Sequence, residues 1–504
     1  MHRRLLLALS SLLLAALAAA AEPTPTPARP NVLFIAVDDL RAQLGCYGDP
    51  VAITPHLDNL AARGTLFNRA YCQQAVCNAT RQSLLSGRRP DTIRVWDLKT
   101  TFRDTSPDVV SLPQYFKQHG YFTRAFGKIY HDGMPDPLSW SVPAELEDMP
   151  KREDYRREEN RTPHKGGKAA ATEFVDAPED AYPDGRVAAA AVAAIESLAR
   201  QPDQPFFLAV GIRKPHLPFT APKKYWDLYE HVAIPAPMPP DAPAGAPAVA
   251  LHDSVELRGY SDQPESGPWT PEQIATLRRG YYAATSFADA QIGRVLAALE
   301  RTGLAKNTLI VVWGDHGYHL GEHNLWVKTT NYEADTRVPL IIATPGHAAA
   351  RTDAIVELLD LYPTLLDLCR LPPAAGLEGQ SLAANLGNPA APGRAGAISQ
   401  FPRPWITGKA ISAPGTMGYT VRDATHRYVE WREWRTGAVL ARELYALAKP
   451  GDFETTNLAG QPEEAEREQK LALQLAAAMG SGKTRPSEDE TGAPSQAPKG
   501  DPAR

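Results

Sequence analysis

Asn31-Val32-Leu33-Phe34-Ile35-Ala36-Val37 is apolar after its first residue and ends in Asp38-Asp39. A strand with one wet face alternates apolar and polar residues; a strand apolar throughout is buried on both faces, as in a sheet covered by helices. Three similar runs follow. Pro205-Phe-Phe-Leu-Ala-Val210 leads into Gly211-Ile-Arg-Lys-Pro-His216, and Thr308-Leu-Ile-Val-Val-Trp313 ends in Gly314-Asp315-His316. The third is Val338-Pro-Leu-Ile-Ile-Ala343. Between the runs, Gly185–Ala199 is Ala-rich and Thr270–Arg301 spaces its apolar residues as a helix does. Alternating strand and helix predicts an α/β fold, a large mostly parallel sheet flanked by helices. Ligands of such sheets sit beyond the carboxyl ends of the strands, where these polar clusters fall.

The 504 residues leave room for several domains and a large core. Hydrophobic residues at 43% and charged residues at 22% are ordinary globular usage and exclude whole-chain disorder. A net charge of −5 argues against a nucleic-acid binder, which shows a basic excess. Met1-His-Arg-Arg followed by the Leu/Ala run Leu5–Ala21 reads as a secretory signal peptide over 1–21, so a secreted or periplasmic protein is expected. No other stretch is apolar enough to span a membrane, and no stable membrane association is expected. Residues 22–30 read as a linker, 31–385 as the main α/β domain and 481–504 as a disordered tail. Residues 386–480 change texture: Gly418–Val421, His426–Trp431 and Glu443–Tyr445 predict short strands of a smaller antiparallel subdomain, and 462–479 a helix. Residues 144–184 and 233–249 read as insertions or lids. The four cysteines, Cys46, Cys72, Cys77 and Cys369, show no zinc spacing and allow at most one disulfide if Cys77 is chemical.

Two adjacent carboxylates at the end of a buried strand repel each other, and a cation between them relieves that cost. Asp315 arrives from another strand end, and an oxygen-rich set suits Ca²⁺, with Mg²⁺ second. Cys77-Asn-Ala-Thr-Arg81 places Arg81 one turn beyond Cys77 on one helix face, where a helix N-terminus and a guanidinium both favour anions. Arg94, Trp96, Asp97 and Lys99 follow that helix as candidates for the pocket mouth. Two Asn-x-Thr sites, at Asn78 and Asn160, are discounted as glycan acceptors because Asn78 adjoins the proposed active site and the composition looks bacterial.

The Cys77–Arg81 segment resembles the sulfatase signature, Cys followed two places on by Pro or Ala and four places on by Arg. Asp38-Asp39, Gly127-Lys-Ile-Tyr-His131, Lys214-Pro-His216 and Gly314-Asp-His through Lys328 stand in that family's order and spacing. Arg88-Arg-Pro-Asp-Thr92 and Gly321-Glu-His323 look most like its iduronate-2-sulfatase branch. The resemblance spans Asn31 to about Leu382, and Ala79 and Thr80 depart from the commonest Cys-x-Pro-Ser-Arg form. It implies an alkaline-phosphatase-like sandwich with a smaller C-terminal subdomain. It also implies oxidation of Cys77 to formylglycine by a sulfatase-maturing enzyme, and a Ca²⁺ held by Asp38, Asp39, Asp315, His316 and the modified Cys77. By the same resemblance Arg81 and Lys128 hold the formylglycine hydrate, and His131 is the base that releases sulfate. Lys328 and His216 contact the sulfate and one of them protonates the leaving alcohol; Lys214 is an extra cation. His319 and His323 brace the loop between Asp315 and Lys328. The implied substrate is a sulfated sugar or glycan. Two readings compete: a phosphonate or phosphate ester hydrolase on the same scaffold, and an inactive protein that binds sulfated glycans.

Overall fold

The computed structural model describes residues 29–145, 154–162 and 168–479. The expected signal peptide and tail, and most of the linker, lie outside the described residues. The main sheet contains β1 (Asn31–Val37), β2 (Thr65–Tyr71), β3 (Phe122–Gly127), β5 (Phe206–Ile212), β7 (Thr308–Gly314), β10 (Arg337–Val338), β11 (Leu340–Ala343) and β12 (Ala350–Glu357). Its order is β10-β2-β11-β7-β1-β5-β3, with β12 paired to β2. Two short pairs lie outside it: β4 (Thr172–Val175) with β6 (Phe219–Pro222), and β8 (His319–Leu320) with β9 (Trp326–Val327).

The continuous apolarity of β1 has the cause the sequence predicts. Val32, Phe34 and Ala36 enter one core layer, with Leu84, Phe116 and Leu365 of the helices over that face. Leu33, Ile35 and Val37 enter the other, with Ile195 and Ile292. The helices Pro183–Leu198 and Pro271–Arg301 cover this second face. The second begins with a capping box, Thr270 accepting from Gln273 N and Gln273 reaching back. The run Val338–Ala343 differs from its companions. Pro339 has no N–H and splits it into β10 and β11, and β11 runs antiparallel between β7 and β2. The parallel block is therefore β7-β1-β5-β3, whose carboxyl ends lie side by side.

A second, antiparallel sheet follows: β13 (Ala397–Arg403), β14 (Thr416–Arg422), β15 (His426–Glu433) and β16 (Val439–Ala446). Leu471 and Leu475 of helix Ala465–Met479 pack on Val421, Tyr428 and Leu444. The two sheets are joined by buried charge as well as by apolar contact. Glu333 accepts from Arg427 at 2.7 Å and from Arg422 at 3.2 Å.

Candidate active site

The first turn after each strand of the parallel block contributes a side chain. Beyond β1, Asp38 N donates to Ile212 O (3.0 Å). Asp39 turns into the left-handed region (φ 59°), which Asp tolerates better than most residues. Its amide donates to Asp315 Oδ1 (3.1 Å), and Tyr281 of the long helix donates to its carbonyl (2.8 Å). At the ends of β3 and β5 two glycines permit a close approach. A Cβ on Gly127 (φ 67°) would strike Gly211 O, and a Cβ on Gly211 would strike the Lys128 backbone.

Cys77 opens the helix Cys77–Ser86, every residue of which is buried. Arg81, one turn on, is spent on the cluster itself. Its Nε donates to Asp315 Oδ2 (2.8 Å), Nη2 to Asp38 Oδ1 (3.3 Å), and Nη1 to Ile129 O (3.1 Å) and Lys128 O. Lys128 Nζ donates to Asp38 Oδ2 at 2.5 Å, and Lys328 Nζ to Asp39 Oδ2 at 3.1 Å. Ligand atoms of Asp38, Cys77, Asp315 and His316 lie within 4.8 Å of one another, as do those of Asp38, Asp39, Cys77 and His216.

Charge state follows from this packing. Burial alone would raise the Asp38 carboxyl, but Lys128, His216 and Arg81 hold it well below the usual range. Burial drives Asp39 up to about 7 against the pull of Lys328 and His316. Burial, with Asp38 beside it, pushes the Cys77 thiol well above its ordinary value, so at neutral pH the encoded residue is a thiol and a poor nucleophile. Burial, then Lys128, lowers His131 to about 3; its Nδ1 is buried without a hydrogen-bond partner. Burial and Lys328 also bring His216 well below its ordinary value.

Whether a cation suits the cluster is read from two atoms. Asp39 Oδ1 is buried and has no hydrogen-bond partner. His316 Nδ1 lies 2.9 Å from Gly317 O; a carbonyl only accepts, so Nδ1 carries a hydrogen, and the neutral ring has its lone pair on Nε2. That lone pair faces Cys77 Sγ (3.2 Å), Asp39 Oδ1 (3.4 Å) and Asp315 Oδ1 (3.7 Å). An imidazole fixed through one nitrogen by a backbone carbonyl, its other nitrogen aimed at carboxylates, is the orientation of a metal ligand. The residues fit a divalent cation.

Not every sequence candidate reaches this cluster. Lys214 is buried, and its ammonium donates to His216 O (2.9 Å) and Pro218 O (2.6 Å), so it fastens the turn that carries His216. Trp96 and Asp97 are held by contacts of their own. Trp96 packs edge-on against Trp434 at 5.2 Å, with Nε1 donating to Asp91 (2.7 Å). Asp97 accepts from Lys99 N, Thr100 N and Ile411 N, so both residues fasten the second sheet's subdomain to the first. Arg94 and Lys99 are exposed. His319 and His323 form a chain: His319 Nδ1 lies 2.7 Å from Asp335, Nε2 3.1 Å from His323 Nδ1, and His323 Nε2 2.8 Å from Glu454 O. The Asn78 and Asn160 amides donate to Asp97 O and Glu173, and all four cysteines are free. Glu256, which nothing in the sequence marks, lies 2.9 Å from Lys328 Nζ and 3.5 Å from His216 Nε2.

A mostly parallel sheet with a cation-laced carboxylate cluster at its strand ends, plus a small antiparallel C-terminal sheet, is the alkaline-phosphatase-like architecture. A family model described as Sulfatase matches residues 30–371. The chain belongs to the sulfatase family, and it is an enzyme that hydrolyses sulfate esters. It is 35% identical to iduronate 2-sulfatase of Mus musculus over 475 residues, 80% of this chain and 84% of that one. It is likewise 35% identical to the Homo sapiens protein of that name over 472 residues, with the same coverage. Among solved structures, the phosphonate monoester hydrolase of Silicibacter pomeroyi superposes with a TM-score of 0.70 at 25% identity, over 88% of this chain and 94% of that one. No helix among the described residues is long and apolar enough to cross a membrane.

Proposed function

We propose that this sulfatase removes sulfate from a uronate-bearing sugar, as the name iduronate 2-sulfatase implies for its relatives, using formylglycine made from Cys77 and a bound Ca²⁺. One observation carries the reading: Cys77 is a buried, protonated thiol set among carboxylates, an imidazole lone pair and fixed cations. As a thiol it has little use there. Replaced by an oxygen centre it would join the carboxylates of Asp38, Asp39 and Asp315 as a hard oxygen ligand, with His316 as the one nitrogen of the set, which suits Ca²⁺ better than the thiol does. The hydrated aldehyde would supply two hydroxyls: one would attack sulfur and displace the alcohol, and deprotonation of the other would break the carbon–oxygen bond to sulfate and restore the aldehyde. Ca²⁺, when bound by these residues, would supply positive charge where negative charge builds on the sulfuryl oxygens.

The side chains take roles that their hydrogen bonds support. Arg81 and Lys128 clamp Asp38 and Asp315, so the charges are ordered before substrate arrives. His131 Nδ1 is unpartnered and neutral, the state needed to take the hydroxyl proton when sulfate leaves. His216 Nδ1 lies 2.5 Å from Leu217 O and carries the ring hydrogen, so neutral Nε2 has none to give. Lys328, held charged by Asp39 and Glu256 against the burial that opposes it, is then the donor to the leaving alcohol. We assign 31–385 to the catalytic domain and 386–480 to the C-terminal subdomain, and take the protein to be exported after loss of residues 1–21.

Peptide mass spectrometry of protein from its own host tests this. Trypsin should release Ala70–Arg81, in which Cys72 is an internal control for alkylation. Alkylated Cys72 with an aldehyde mass at Cys77 is the expected result. Two intact thiols in fully active protein would overturn the formylglycine reading.

A further inference from the structure

Glu256 is a fourth carboxylate at the site, set apart from the other three. It sits in the short helix Val255–Arg258, between the His216 turn and the long helix. Its oxygens belong to neither group of clustered ligand atoms. Lys328 and His216 each stand between two acids. Asp39 Oδ2, fully buried, is 3.1 Å from Lys328 and 4.0 Å from His216 Nε2; Glu256, its side chain 17% exposed, is 2.9 and 3.5 Å away. Glu256 therefore closes the solvent side of this pair. The backbone that carries it is pinned. Ser254 is in the left-handed region (φ 54°), its Oγ accepts from Trp326 N (2.9 Å) and its N donates to His252 Nδ1 (2.9 Å). Glu256 O accepts from Lys168 Nζ at 3.1 Å.

A fixed negative charge beside the groups that receive an anion repels each ligand in proportion to the ligand's own charge. A sulfate monoester carries one negative charge. Inorganic sulfate carries two, and a phosphate monoester approaches two above pH 6. Resting on the sulfate-ester reading above, we propose that Glu256 is a specificity-determining residue that discriminates by charge: it disfavours dianions, so the site holds the monoanionic ester in preference to a phosphate monoester and releases the inorganic sulfate product. A carboxylate that only steadied Lys328 would leave the ratio of dianion to monoanion affinity untouched.

The test is anion binding to wild type, Glu256→Gln and Glu256→Asp at pH 8, read by calorimetry with inorganic sulfate, inorganic phosphate and the monoanion methanesulfonate. In Glu256→Gln, sulfate and phosphate should tighten about tenfold, roughly 1.4 kcal/mol, and methanesulfonate about threefold. Glu256→Asp keeps the charge and should keep the wild-type ratio. An unchanged ratio in Glu256→Gln, or weakening of all three anions together, overturns the proposal. Binding is measured without turnover, so a wild type that binds these anions yet hydrolyses no sulfate ester would refute the proposed function separately.

Discussion

The assignment of Lys328, and not His216, as the proton donor can be tested through the leaving group. Lys328 Nζ is buried between Asp39 Oδ2 (3.1 Å) and Glu256 Oε2 (2.9 Å), which keep it charged. Neutral His216 has its one ring hydrogen committed to Leu217 O. A sugar alkoxide is a poor leaving group and needs a proton in the transition state; 4-nitrophenolate does not. A positioned general acid contributes about 10²–10⁴ in rate, or about 3–5 kcal/mol at 1.36 kcal/mol per tenfold. Lys328→Arg keeps the charge and most of the anion contact, but a guanidinium does not give up its proton. Lys328→Arg should therefore lose about 10²–10⁴ in kcat on a sugar sulfate and less than about tenfold on 4-nitrophenyl sulfate. Steady-state rates on both substrates, with circular dichroism to verify folding, decide it. Equal losses on the two substrates would sink the assignment and leave Lys328 as an anion-binding group only. A selective loss in His216→Gln instead would transfer the role to His216.

Three further outcomes are expected. Glu322 is buried between Arg41 and Arg278; burial opposes its charge, but the two guanidinium groups hold the carboxyl at about 2, below the ordinary 4.5. A depressed carboxyl stabilises the fold fully above pH 4.5 and loses that contribution as pH falls towards 2, so Glu322→Gln should flatten this acid limb of a stability–pH curve by a few kcal/mol, on the order of 3. Removing the cation with EGTA should lower thermal stability as well as activity, since a ligand at a hundredfold its Kd contributes about 2.7 kcal/mol; Ca²⁺ should restore both, and an unmoved melting temperature would count against a metal centre. Trp96→Ala should cost about 3–5 kcal/mol of stability and leave KM for substrate unchanged, because the ring is packed against Trp434 and not presented to the cleft; a raised KM with normal stability would return Trp96 to the pocket.

The chain's local patterns already determined much of this protein. A run apolar at every position, such as Val32–Val37, has one stable home, between two layers, and it carries Asp38-Asp39 to a strand's carboxyl end whatever the rest of the chain does. Cys77 and Arg81 share a helix face by the helical repeat alone. Three things were decided only by tertiary structure. Pro339 marks a break, but the reversed direction of Leu340–Ala343 depends on which strands it pairs with. Trp96, Asp97 and Lys214 have the chemistry of pocket residues, yet their polar groups are taken by Asp91, Ile411 N and two carbonyls, partners that no local spacing reveals. Glu256 carries no motif and becomes a site residue only because its short helix folds back against Lys328 and His216. Periodicity records which face of an element is buried; which side chain has a polar atom left over for chemistry depends on contacts between segments that can be hundreds of residues apart.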